Sequence, residues 1–180
     1  MAEKKNVMTP EFRVSFPYLF RTQPPMPGST SGPKYGVVML FKKGENLDAL
    51  KKDAARAVRD KWGDNPPKNL RSPFRDQGDR EGEGYVPGAI FITATSKTKP
   101  GVVDRNVQDI IDESEVYAGC YGMATVRAFA YESPLNKGVA FGLVNFQKTR
   151  DGEPLSGRTK PQDDFKPVED AGDTTDDVFG

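Results

Sequence analysis

Residues 121–131, Tyr-Gly-Met-Ala-Thr-Val-Arg-Ala-Phe-Ala-Tyr, and 139–147, Val-Ala-Phe-Gly-Leu-Val-Asn-Phe-Gln, decide the fold. They read as two strands of one hairpin. Their connection, Glu132 to Gly138, contains Pro134, Asn136 and Gly138, all turn formers. Side chains alternate between the two sides of a strand. Ala124, Val126, Ala128 and Ala130 therefore share one face, and Tyr121, Met123, Thr125, Arg127, Phe129 and Tyr131 share the other. The first set is small and apolar, which suits a tightly curved barrel interior. The second interleaves a cation with aromatics.

Working outward, Phe12, Val14, Phe16, Tyr18 and Phe20 alternate over residues 12–20, which is the strand period. Pro17 inside that run predicts an edge or a bulge. Residues 22–33 are rich in Pro, Gly, Ser and Thr and read as a loop. Residues 35–42 form a second strand and 88–95 a third. Between them, Leu47, Leu50, Ala54, Val58 and Trp62 make an apolar stripe at helical spacing over 46–62. Asn46 is the expected N-cap. Gly63 and Pro66-Pro67 end the helix. Lys51, Lys52, Arg56 and Arg59 lie outside its stripe. Residues 63–86 show no hydrophobic period and read as a long loop. Val107 to Asp112 is the place for a short helix. Five strands and two helices, with turn chemistry between them, predict a mainly β domain. A five-stranded barrel of this length is compatible with an OB-fold.

Composition excludes several chemistries. The 180 residues contain no His and one Cys, Cys120. A disulfide within the chain cannot form, nor can a Cys/His zinc site. The usual Ser-His and Cys-His nucleophile pairs are absent. No phosphate-binding loop or dinucleotide fingerprint occurs. Asp104, Asp109, Asp112, Glu113 and Glu115 are the carboxylates to weigh as metal ligands, against the simpler reading of a solvated face. No metal or cofactor is expected, and no enzymatic activity. No apolar run approaches the ~20 residues that span a membrane. Residues 1–10 lack the apolar stretch of a secretory signal. A cytoplasmic location is the expectation.

The formal net charge is zero, but it is unevenly spread. Residues 163–180 hold seven acids and one base, a net −6. Residues 1–162 hold 25 bases and 19 acids, a net +6. Such asymmetry suggests a body that binds a polyanion and a tail that competes with it. The chain divides accordingly into a flexible N-terminus (1–9), a binding domain (10–160) and a disordered acidic tail (161–180). Near its end, Asp173, Asp176 and Asp177 accompany an aromatic, Phe179. An acidic tail needs no Phe for solubility, so these four residues are candidates for docking on partner proteins.

Single nucleic-acid strands are bound by aromatics that stack bases and cations that meet phosphates. The candidate residues are Lys34, Tyr35, Arg75, Lys97, Lys99, Tyr117, Tyr121, Arg127, Phe129 and Tyr131, with Phe74 a further candidate for stacking. The loop 63–86 is expected to close over a bound strand. Rival readings are a structural or protein-interaction module, a carboxylate-metal nuclease and an RNA binder.

Three stretches carry a resemblance. They are Tyr117-Ala-Gly-Cys-Tyr-Gly-Met-Ala-Thr-Val-Arg-Ala-Phe-Ala-Tyr, Lys137-Gly-Val-Ala-Phe-Gly-Leu-Val-Asn-Phe-Gln-Lys and Asp151-Gly-Glu-Pro-Leu. Together with Gly101-Val-Val-Asp-Arg-Asn, they resemble phage-encoded single-stranded-DNA-binding proteins over most of residues 10–165. The resemblance implies an OB-fold, single-stranded DNA binding in replication or recombination, and no enzymatic activity. It also implies that the tail contacts a phage DNA polymerase or primase-helicase. Oligomeric state is left open. The helix at 46–62 departs from the usual pattern and is read as an insertion, with 107–112 as the usual helix between the third and fourth strands.

Overall fold

In the computed structural model, which describes residues 5–24, 27–28, 32–80, 84–156 and 161–168, the long hairpin pairs small residues with large ones across its inner face. Its strands are β7 (Tyr121–Glu132) and β8 (Lys137–Arg150), numbered in chain order. Ala124 lies opposite Phe146, Val126 opposite Leu143 and Ala128 opposite Phe141. All six are buried in one core. Each Phe fills the space its Ala partner leaves, which is how a narrow barrel reaches the density of a protein interior. Gly122 serves the same end, because a Cβ there would collide with the Phe146 ring.

The other strands are β1 (Val7–Met8), β2 (Phe12–Gln23), β3 (Lys34–Leu40), β4 (Arg75–Asp76), β5 (Ile90–Ser96) and β6 (Gly101–Val103). The helices are α1 (Asp48–Trp62) and the one-turn α2 (Pro161–Asp164). β2 pairs with β3, β3 with β5, β5 with β8, β8 with β7, and β7 with β2. These pairings close a ring of five strands. All are antiparallel except β5 with β8, which run parallel. The expected OB-fold connectivity is therefore present. The interior holds Phe12, Val14, Val37, Met39, Ile92 and Ala94 beside the hairpin residues. No helix among the described residues is long and apolar enough to cross a membrane.

Pro17 does interrupt its strand. The β2–β3 register shifts between Ser15 and Tyr18. At this bulge Phe16 takes a positive φ of 44° and is exposed. The helix begins two residues later than expected. Its N-cap is Leu47, and Asn46 instead accepts the Asp48 N–H on its side chain. Residues 107–112 do not form a helix. Val107 closes a tight turn at φ 61°, and Ile110 donates back to the Val102 carbonyl. The helical piece before β7 is a single 3₁₀ turn at Glu113–Glu115. The N-terminus is ordered earlier than expected, because Val7–Met8 pair with Val126 and Thr125. At the other end, Pro161–Asp164 turn once as a helix inside the segment expected to be a disordered tail.

Segment 63–86 is also tied down where it is described. The buried Gln77 amide donates to the Phe41 and Ile90 carbonyls at 2.8 and 2.9 Å. Its side-chain oxygen accepts the Val86 N–H at 2.9 Å. Tyr85 packs with Leu155 over a small second core of Val38, Leu40 and Phe91 outside the ring. Gln77 and Tyr85 thus fasten the described part of the segment to the barrel wall.

The edge of β7 away from β8 meets three partners in turn. β2 pairs at Tyr121–Gly122, β1 at Thr125–Val126, and α1 takes the next position with side chains. Buried Asp53 accepts the Ala128 N–H at 2.7 Å, and Arg56 donates to the Ala128 carbonyl at 2.7 Å. Arg56 also binds Asp53 at 2.8 Å and Asp60 at 2.7 Å. Two helix side chains thus satisfy the backbone groups a neighbouring strand would otherwise take. Replacing Asp53 by Ala leaves the Ala128 N–H unpaired and Arg56 short of an anion. We expect Asp53→Ala to lower stability by about 2–3 kcal/mol. The check is a fall in the urea midpoint with the slope unchanged. An unchanged midpoint would contradict this role.

Candidate nucleic-acid interface

Because the inner face of β7 is filled, its alternate residues point out of the barrel. Arg127 and Tyr131 are half-buried and Phe129 is 46% exposed. The registers carry this surface around the ring. Arg127 lies opposite Gly142, Gly142 opposite Thr95, Thr95 opposite Gly36, and Gly36 opposite Tyr18. One row therefore crosses five strands, β7, β8, β5, β3 and β2, on the outer face. Four strand-to-strand steps make a path of about 19 Å around the barrel wall.

Two members of this row are glycines, so the middle has little side chain above the backbone. The Phe129 ring leans over Gly142, 3.9 Å from where a Cβ would lie. Aromatics stand at both ends, Phe129 on β7 and Phe16 with Tyr18 on β2. At Phe16 the positive φ is a strained setting for a bulky residue, of the kind that functional sites often hold. Arg80 sits 6.0 Å from the Phe16 ring centroid.

Cations border the row. Lys34 starts β3 beside Gly36, and exposed Lys97 and Lys99 follow β5. Arg127 stands at the β7 end. None of these four forms an ion pair with another described residue. Tyr35 pairs with Ser96 at the same end of the barrel, but it shares the inward parity of Val37. Tyr131 lies near Arg71, with its hydroxyl 2.9 Å from where a Gly138 Cβ would sit.

Four of the expected residues contact other parts of the protein, although Arg75 among them is exposed. Phe74 packs edge-on against buried Phe141, with ring centroids 5.8 Å apart. Arg75 lies over the Phe91 ring of the second core at 5.4 Å. The Tyr117 hydroxyl donates to the Gly152 carbonyl at 2.8 Å and to Asp151 at 3.1 Å, which latches the segment after β8. Arg150 covers the Tyr121 ring at 3.8 Å, and Arg13 approaches it at 6.0 Å. Glu11 holds Arg150 in place through hydrogen bonds at 3.0 and 3.2 Å. Burial pushes the Glu11 carboxyl up, but bonds from Thr149 and Arg150 outweigh this and keep it below the usual carboxylate range. Asp173, Asp176, Asp177 and Phe179 lie outside the described residues.

Two further clefts beside the sheet have charged walls. One, of about 530 Å³, is lined by Asp104, Asp109, Asp112, Glu115, Lys148 and Asp151 among others. Four of these acids have structural partners. Asp104 caps the turn at Asn106 and Gln108, Asp112 caps Ser114, and Lys148 pairs with Glu115 and Asp151. Among the described residues no His, Cys, Asp or Glu cluster is placed to hold a metal ion. The other cleft, of about 340 Å³, lies between α1 and β7, lined by Arg56, Asp60, Lys61, Arg127 and Phe129 among others.

Phe16, Tyr18, Gly36, Thr95 and Gly142 were not singled out in the sequence. Pro17 marked the bulge that exposes Phe16. The others are brought together only by cross-strand register, which single-strand patterns do not encode.

Comparison with known proteins agrees with this architecture. Protein p50 of Acyrthosiphon pisum secondary endosymbiont phage 1 is 29% identical over 157 residues, covering 81% of this chain and 83% of that protein. The single-stranded DNA-binding protein of bacteriophage Enc34, solved in complex with ssDNA, superposes with a TM-score of 0.69 at 18% identity. That match covers 85% of this chain and 90% of the Enc34 chain. The gp2.5 single-stranded DNA-binding protein of bacteriophage T7 matches with a TM-score of 0.60 at 13% identity, over 93% of this chain and all of its own. At these identities the solved structures attest the shared fold. The family described as Enterobacter phage Enc34, ssDNA-binding protein, matches residues 5–179, so this chain belongs to the Enc34 family of phage single-stranded-DNA-binding proteins.

Proposed function

We propose that the protein coats single-stranded DNA without sequence preference during phage replication or recombination, in the host cytoplasm and without catalysing a reaction. The observation that carries this reading is the outer row from Tyr18 to Arg127. It offers a glycine-lowered floor, aromatic platforms at both ends and cations without ion-pair partners among the described residues. Bases stack on Phe129 at one end and on Phe16 and Tyr18 at the other, while Lys34, Lys97, Lys99 and Arg127 meet phosphates. Stacking needs no particular base, because every base has a π-face. The acidic tail occupies this surface when DNA is absent, and Phe179 with its neighbouring acids recruits a replication polymerase or primase-helicase. The net +6 body and net −6 tail support that competition.

The direct test is fluorescence anisotropy with a labelled oligo-dT of about thirty nucleotides across a salt series. Affinity should fall log-linearly with salt, and duplex DNA should bind more weakly. Absence of binding at low salt would favour a protein-interaction module instead. Phe129→Ala removes a platform on the order of 1–3 kcal/mol, so it should weaken binding about 5- to 150-fold. Gly142→Val raises the floor under Phe129, and it should lower affinity while far-ultraviolet circular dichroism stays unchanged. Wild-type affinity in both variants would remove the row from the binding site. Deleting residues 163–180 should tighten DNA binding at low salt, and equal affinity with and without them would sink the competition.

A further inference from the structure

We propose that the outer side of α1 is a second phosphate-binding track, which receives the single strand where it leaves the barrel beyond Phe129. This rests on the reading that the outer row takes single-stranded DNA. Three observations carry it. The first is continuity. Arg127 and Phe129 end the row on β7, and the same two residues line the cleft whose opposite wall is Arg56, Asp60 and Lys61 of α1. A strand passing over Phe129 therefore meets the helix next.

The second is the distribution of charge on α1. Lys52, Arg56 and Arg59 follow at i, i+4 and i+7 and share a face. Lys51, Lys52, Arg59 and Lys61 are exposed, and none forms an ion pair with a described residue. The helix holds three acids. Asp53 is buried and Asp60 is taken by Arg56, while Asp48 stands in the first turn. A helix face that merely solvates a protein mixes signs and pairs them at i, i+4. Here Asp60 makes the one such pair, and the cations on either side are left over. From Lys52 to Arg59 the track runs about 10 Å along the axis.

The third is rigidity. Asp53 and Arg56 bolt the helix to the Ala128 backbone on β7, the strand that carries Arg127 and Phe129. The track and the end of the row are thus held at a fixed spacing, so a strand that fits one is pre-positioned for the other.

The test compares oligo-dT of about eight nucleotides, within the span of one OB surface, with oligo-dT of about thirty, long enough to reach the helix. The variant replaces Lys51, Lys52 and Arg59 together by Gln. With the long oligonucleotide, the log-log salt slope should fall by about 2, at ~0.7 per single-strand phosphate contact. With the short one, affinity and slope should match the wild type, which also shows that the variant is folded. Phe129→Ala should weaken both lengths, so failure of the row and failure of the track give different patterns. An unchanged slope with the long oligonucleotide overturns the track. Equal losses at both lengths overturn it too, because general charge reduction then explains the effect. If wild-type protein binds neither length, the row and the track fall together.

Discussion

Closing five strands into a ring leaves an interior too narrow for a large side chain on every strand. β7 resolves this by placing Ala124, Val126 and Ala128 inward, opposite Phe146, Leu143 and Phe141. The same constraint fixes the outside. Alternation obliges Arg127, Phe129 and Tyr131 to point away from the core whenever the alanines point into it. A one-residue slip of β7 would bury Arg127 and expose the alanines, so this outer face cannot be lost without losing the barrel. Core packing and the proposed binding surface are two faces of one pairing register.

The inserted helix follows from the same strand. Past Val126, no strand among the described residues lies beside the edge of β7. Asp53 and Arg56 close that gap with side-chain hydrogen bonds to Ala128, while Leu50, Ala54 and Ala57 join the main core. The helix is thereby part of the barrel wall, which explains how a 15-residue insertion leaves the five-strand connectivity intact. It also brings a run of cations beside the aromatic end of the row.

Much of this was legible in the sequence because it is local. Strand alternation assigned the two faces of β7, Pro17 marked the bulge in β2, and the stripe from Leu47 to Trp62 gave α1. What escaped depends on contacts distant in sequence. Phe74, Tyr117 and Tyr121 look like platforms when read as aromatics near glycines and cations. They differ from Phe129 only through Phe141, Gly152 and Arg150, which lie some 30 to 67 residues away along the chain. The row itself needs four registers at once, and each has on one side Gly142 or Gly36, glycines that carry no pattern of their own. Residues 107–112 misled for another reason. Their spacing allows a helical turn, but Asp104 caps Asn106 and Gln108 and holds Val107 in a tight turn instead.

The central claim is that single-stranded DNA lies across the glycine-floored row rather than along the covered aromatics near residues 117–121. An amide NMR titration with oligo-dT separates the two. The account predicts that the signals of Gly36, Thr95, Gly142 and Phe129 shift together as DNA is added, while those of Tyr117 and Tyr121 hold still. Shifts centred on Tyr117 and Tyr121, with Gly36 and Gly142 unmoved, would contradict it.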